Sequence, residues 1–310
     1  MTSHSDAPAE ASAAPVVRRM TRPFYWSLRR ELWENRSVYM APLIAAAVVL
    51  FGYVISLAHP PHVQFTHRGA SASAVAFQQF MSSPATHYLF GMAVIVMAGL
   101  GVGVFYCAGA LHGERRDRTI LFWKSLPVSD LTTVLSKATV PLAVIPLVSF
   151  AICIVTALIM LSFGAAFAMS RSQDPAVLWT AVDLAHNSLM VLYSLVVTAL
   201  WQAPVWAWLL LVSGWAKRVP FVWAVGIPVA PCIVERIGLG TSNLGDLLGS
   251  RLVGGLKHAF TAEPKARVTI DALHMDPIKF LTSPDVWIGL AFAAAFLAAA
   301  VWQRRRREPV

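Results

Sequence analysis

From Val38 to Ala58 the chain runs without a single charged residue. Five further apolar runs follow, near His87–Leu111, Ala138–Ala168, Ala185–Ser213, Val219–Val234 and Val286–Trp302. About twenty apolar residues are what a helix needs to cross the hydrocarbon core of a bilayer. Lipid offers the backbone no water, so such a run must satisfy its own N–H and C=O groups as a helix. That dictates the expected fold class: an all-α integral membrane protein with six transmembrane helices. Composition agrees, because only 13% of the 310 residues are charged, whereas a soluble domain carries about a quarter. The fifth run, "VPFVWAVGIPVAPCIV", is short and holds Pro228 and Pro231. A kinked crossing and a partly re-entrant element both stay open for it, and either needs neighbouring protein to satisfy the freed backbone groups.

The formal net charge of +9 would suggest nucleic acid in a soluble protein. In a membrane protein, basic residues collect in cytoplasmic loops and set orientation, so nucleic acid is not expected as a partner. Six of the 25 Lys and Arg precede the first span and five lie between the second and third. Two (Lys217, Arg218) lie between the fourth and fifth spans, and four (Arg304–Arg307) follow the sixth. Seventeen therefore share one side. The loops after the first and third spans hold only Arg68 and Arg171, and the rest lie between Arg236 and Lys279. Long segments are translocated largely regardless of charge. Both termini and the loop after the second span are thus expected in the cytoplasm, with 59–86 and 238–283 outside.

Residues 1–22, beginning "MTSHSDAPAEASAAP", are rich in small residues and read as a disordered cytoplasmic tail without the pattern of a signal peptide. Residues 23–37 read as an interfacial amphipathic helix. Pro23 suits a first turn, and Phe24, Leu28 and Leu32 recur every four residues, with Arg29, Arg30, Glu31 and Glu34 largely elsewhere on the wheel. A soluble helix docked on a partner fits the same pattern. Residues 38–310 form the six-span domain, with a loop at 112–137 and a long outer segment at 238–284. In that segment Leu244, Leu248, Leu252, Leu256 and Phe260 recur every four residues, the mark of short helices. They lie on or dip into the outer leaflet, or else stand in water.

Motifs for chemistry are sparse. No Gly-Lys pair occurs, so the phosphate cradle of a P-loop is absent. "GLGVGV" at Gly99–Val104 imitates part of a dinucleotide fingerprint but lies inside a span with no strand before it. Gly99 with Gly103, and Gly109 with Gly113, instead allow close helix approach, within the chain or at a dimer seam. His59, His62 and His67 lack acidic or Cys partners nearby and read as an irregular loop. Cys107, Cys153 and Cys232 fall inside apolar runs as packing residues, so no metal and no disulfide are expected. No H-E-x-x-H or G-x-S-x-G motif supports an intramembrane enzyme. Pro141, Pro146 and Pro204 are expected to bend their spans. Glu235, at the end of the proline-bearing fifth run, is either a transport-cycle residue, together with Pro228 and Pro231, or an interfacial residue.

The stretch "GERRDRTILFWKSLPVSD", Gly113–Asp130, stands between two apolar runs. Glu114 and Arg118 can pair four apart, and Ile120, Leu121, Trp123 and Leu126 give an apolar side. Pro127 stops the helix, and Ser129 can cap the next one. The segment reads as a short rigid element, lying on the surface or docking a partner.

Here the chain resembles the permeases of type-2 ATP-binding-cassette (ABC) exporters, whose loop between the second and third spans has the form E-R-x-x-x-T-x-x-x-x-x-S-L-P-V-S. Glu114, Arg115, Thr119, Ser125, Leu126, Pro127, Val128 and Ser129 match it; the commoner Gly before the Thr is Arg118 here. The resemblance runs from Pro23 to the sixth span. It implies that the loop docks in a cleft of a separate ATPase subunit through Glu114, Arg115, Arg116, Arg118, Thr119, Trp123, Lys124, Ser125, Leu126, Pro127 and Ser129. It further implies two ATPase copies, a second permease chain and membrane lipid as partners, in a bacterial cytoplasmic (inner) membrane. ATP and Mg would sit in the partner, so this chain is not an enzyme by itself and needs no cofactor. The pathway between two permeases would lie near the second and fifth spans, around Met97, Phe105 and Pro228. Two alternatives stand beside this reading: an ATPase-coupled membrane sensor that moves nothing, and an intramembrane enzyme.

Overall fold

The structure is a computed structural model that describes residues 23–58, 84–116, 129–172, 174–262 and 273–306. A short helix α1 (Pro23–Glu34) turns into α2 (Ser37–Ala58), and α3 follows (Pro84–Arg116). The next pass is built from α4 (Asp130–Thr139), one π turn (Val140–Val144) and α5 (Ile145–Ser170). After α6 (Ala176–Ala181) come α7 (Leu184–Trp201), α8 (Ala203–Trp215) and α9 (Pro220–Gly238). Helices α10 (Asn243–Val253) and α11 (Gly255–Ala259) lead into strands β1 (Phe260–Ala262) and β2 (Leu273–Met275), then α12 (Pro277–Thr282) and α13 (Pro284–Arg306). Six stretches are long and apolar enough to cross a membrane: Ser37–Ala58, Thr86–Arg116, Asp130–Ser170, Leu178–Trp201, Pro220–Gly238 and Pro284–Arg306. The chain is a helical, multi-pass membrane protein.

Two details depart from the all-helical six-span reading. The strands β1 and β2 pair antiparallel, Phe260 opposite Met275, in the segment before the last span. The fourth span, expected as one helix over Ala185–Ser213, breaks at Gln202, whose φ of −87° and ψ of 1° are not helical. Pro204 is the cause: its ring crowds the carbonyl four residues back and its missing N–H suits the first turn of a new helix. The break leaves α8, thirteen residues long, as the centre of the bundle, packed on both α3 and α13. Trp206, Leu209, Leu210 and Val212 are buried there beside Tyr106 and Cys107 of α3. A second core holds α2, α3 and α5 together around Ala46, Ile95, Cys153 and Leu161.

Close packing in lipid depends on small residues, and the glycines of α3 divide between two faces. A Cβ on Gly99 would lie 2.5 Å from Ser149 Oγ, and one on Gly103 would lie 3.2 Å from the Trp206 ring. These two let α5 and α8 approach. Gly101, Gly109 and Gly113 meet nothing within 4 Å and, apart from Gly113, share an open stripe with Met97 and Phe105, the latter 71% exposed.

The fifth run is one continuous helix, α9, in spite of its two prolines. Pro228 offers no N–H to the carbonyl of Ala224, and the indole Nε1 of Trp208 donates to that oxygen instead, at 3.0 Å. Phe221 of α9 stacks on Phe105 of α3. At the far end, α10 and α11 fold back against Trp201, midway along the pass formed by α7 and α8. Trp201 Nε1 donates to Ser250 O at 2.9 Å, Gln202 Nε2 to Leu252 O at 2.8 Å, and His258 stacks on the Trp201 ring. Gly255 is required at this contact, because a Cβ would come within 2.8 Å of the Trp201 ring. The expected four-residue stripe is interrupted at Gly254, and its Leu244, Leu252 and Leu256 are exposed.

Candidate functional site: the charged base of the loop after the second span

The loop residues Arg118, Thr119, Trp123, Lys124, Ser125, Leu126 and Pro127 lie outside the described residues, as do His59, His62 and His67. What the structure describes is the base on which that loop stands. One stem is the last turn of α3 with Glu114, Arg115 and Arg116. The other is the first turn of α4, where Ser129 accepts the N–H of Thr132 at 3.1 Å and so caps the helix.

Glu114 faces inward and is buried. Its Oε2 accepts from Arg304 Nη1 at 2.6 Å, and its Oε1 accepts from Arg30 Nη2 at 2.9 Å. Lys137 Nζ stands 3.2 Å from the same Oε1. Lys137, 3% exposed, also donates to Glu31 Oε1 at 2.8 Å, and the Tyr106 hydroxyl donates to Glu31 Oε2 at 2.9 Å. Arg304 Nε donates to Asp130 Oδ1 at 2.9 Å. Three carboxylates (Glu31, Glu114, Asp130) thus face three cations (Arg30, Lys137, Arg304), with Arg30 also reaching Glu34 at 3.1 Å. Each oxygen of Glu31 and Glu114 has a donor. A buried charge is tolerated when paired and hydrogen-bonded in this way.

Local sequence explains why these charges turn inward. Glu31 lies three residues after Leu28 and just before Leu32, so it rides the apolar side of α1, not the polar side assigned to it. Lys137 lies three residues after Val134. Arg304 lies four after Ala300 and three after Val301. The polar face expected for α1 holds for Arg29, and Arg305 and Arg306 at the end of the last pass are exposed too. Arg29 lies over the rings of Trp26 and Trp33, at 5.4 Å and 4.7 Å.

A second tie fixes the α3 stem. Arg115 Nη1 donates to Gly214 O at 2.6 Å, Leu111 N donates to Ser213 Oγ at 3.2 Å, and His112 Nδ1 lies 3.1 Å from Ala216 O. The last turn of α3 is therefore bound to the end of α8, whose final carbonyls would otherwise go unsatisfied. Glu114 and Arg115, both expected at a docking surface, are directed into the protein, while Arg116 is exposed.

The other sequence candidates lie at the opposite end. The Glu235 carboxylate accepts from Asn243 N at 2.9 Å, Leu244 N at 2.8 Å and Thr241 Oγ1 at 2.8 Å. It caps the first turn of α10 from across the corner that Gly240 turns at φ +66°. Pro231 and Pro228 lie one and two turns back on α9. The loop base and this corner are not brought together.

Among the described residues, no group of three His, Cys, Asp or Glu is placed to hold a metal ion. The three cysteines are free, with Cys107 and Cys153 fully buried. Compared with family models, with curated proteins and with solved structures, the chain matches none.

Proposed function

We propose that this chain is the permease subunit of an ABC exporter of the type-2 kind, driven by a separate ATPase that docks on the 113–130 loop. The observation that carries the reading is the base of that loop. Both stems enter one buried, charge-balanced network that also holds α1 and the last pass. A surface loop needs no such foundation, whereas a loop that receives force from a docked subunit does. The sequence "ERRDRTILFWKSLPVS" supplies the second support.

In this reading the loop, α1 and the end of α13 face the cytoplasm of a bacterial inner membrane, and the ATP and Mg belong to the ATPase. Two permeases and two ATPases assemble. The open stripe of α3 (Met97, Gly101, Phe105, Gly109), beside the outer face of α9, is the seam between the permeases. Phe105 and Phe221 already stack there, and small residues on the stripe let a second chain approach closely.

Three experiments test the reading. Purification from the native membrane in mild detergent should bring down an ABC ATPase in equal number with this chain. Substrate-stimulated hydrolysis and export in vesicles then separate a transporter from a sensor. Single-cysteine labelling from outside should mark 59–83 and spare the C-terminal arginines; strong labelling at those arginines contradicts the orientation.

A further inference from the structure

We propose that Arg304 is the positioning residue of the 113–130 loop, a clasp whose single guanidinium joins both stems and fastens them to the last pass. The proposal rests on the reading of the loop as the docking element and assigns the route by which a push on it reaches the spans.

The geometry sets Arg304 apart from its neighbours in the basic run. Arg305 and Arg306 are exposed, whereas the Arg304 side chain is 6% exposed. Its Nη1 holds Glu114 on the stem that enters the loop, and its Nε holds Asp130 on the stem that leaves it. A planar guanidinium can serve two carboxylates in fixed directions, which a lysine ammonium on its flexible stem cannot do with the same geometry. Glu114 passes the tie on to Arg30 and Lys137, and Lys137 passes it on to Glu31, so α1 is joined to the same body. Above it lies the π turn Val140–Val144, containing Pro141 and followed by Pro146, where the third pass is weakest along its helix ladder. The clasped base, consisting of α1, α4, the end of α3 and the end of α13, therefore moves as a unit when the loop is pushed. Without Arg304, Lys137 still ties α4 to Glu114 and Glu31, but the last pass is released from them.

The test uses the full chain with its co-purified ATPase and four variants: Arg304→Gln, Arg304→Lys, Asp130→Asn and, as a control on an exposed neighbour, Arg305→Gln. Spin labels at Leu131 and Trp302, both exposed, report the distance between α4 and α13, in a Cys232→Ser background because Cys107 and Cys153 are buried. Arg304→Gln should widen that distance distribution, keep the ATPase bound, and reduce substrate-stimulated hydrolysis by about tenfold. Arg304→Lys should fall between Gln and wild type, and Arg305→Gln should match wild type. Where Arg304→Gln fails to insert, Asp130→Asn breaks only the partly exposed arm of the clasp and carries the same readouts. An unchanged distribution overturns the clasp, as does loss of the ATPase itself, which would make Arg304 part of the docking surface. If the wild-type chain captures no ATPase, the permease reading fails, while the distance measurement still decides the clasp.

Discussion

Arg304 and Glu114 stand 190 positions apart in sequence, and 2.6 Å separates Arg304 Nη1 from Glu114 Oε2. The pair closes a ring of elements in which the first helix, the second and third passes and the last pass share one buried set of charges. Removing one partner of such a pair leaves an uncompensated buried charge, at a cost of about 3 kcal/mol or more. Glu114→Gln should therefore lower the thermal unfolding midpoint in detergent, and a double-mutant cycle with Arg304→Gln should show coupling well above that of the half-exposed pair Arg30–Glu34. Additive losses would mean that the two residues do not act together.

Glu235 has a local duty that can be measured without any substrate. Its carboxylate holds the first two N–H groups of α10 and the Thr241 hydroxyl. Glu235→Ala should destabilise the α9–α10 corner by about 1–2 kcal/mol, as loss of a helix cap does. Hydrogen exchange at the Asn243 and Leu244 amides should accelerate, while exchange in α8 stays unchanged. Unaltered protection in α10 would remove the capping role.

Ser149 is 1% exposed, and its Oγ has no hydrogen-bond partner among the described residues. It lines a small cavity with Val96, Pro141, Pro146, Thr198 and Trp206, beside the π turn. An unpaired buried hydroxyl costs about 1–3 kcal/mol. Ser149→Ala should accordingly raise the unfolding midpoint. A lowered midpoint would show that the hydroxyl is engaged, most simply by a water in that cavity.

Much of this architecture is legible in the sequence. Six apolar runs forced helical passes, since lipid permits little else, and Ser129 announced the start of α4. The break at Gln202 was signalled by Pro204, yet a proline inside an apolar run marks a bend as readily as a division. The return of α10 and α11 to Trp201 depends on Gly255, whose need appears only once the indole is in place. The network at the loop base was missed for a different reason. Glu31, Lys137 and Arg304 each stand three or four residues from a buried or partly buried apolar neighbour, so the signal was a charge on an apolar stripe. Read singly, each passes for a solvated or orienting charge. Read together, as opposite charges on three stripes that converge at one end of the bundle, they require partners.

The loop tip provides the most direct measurement of the central claim. Trp123 and Leu126 are the large apolar side chains of "RTILFWKSLPVSD", and truncating an interface anchor costs about 2 kcal/mol or more. The double variant Trp123→Ala, Leu126→Ala changes no residue of the six spans, so it should insert and run as wild type by size exclusion. Purified in mild detergent, it should lose its ABC ATPase, or keep it while substrate-stimulated hydrolysis falls to the basal rate. Wild-type retention of the ATPase together with wild-type stimulated hydrolysis would contradict the account, leaving the loop without a docking role.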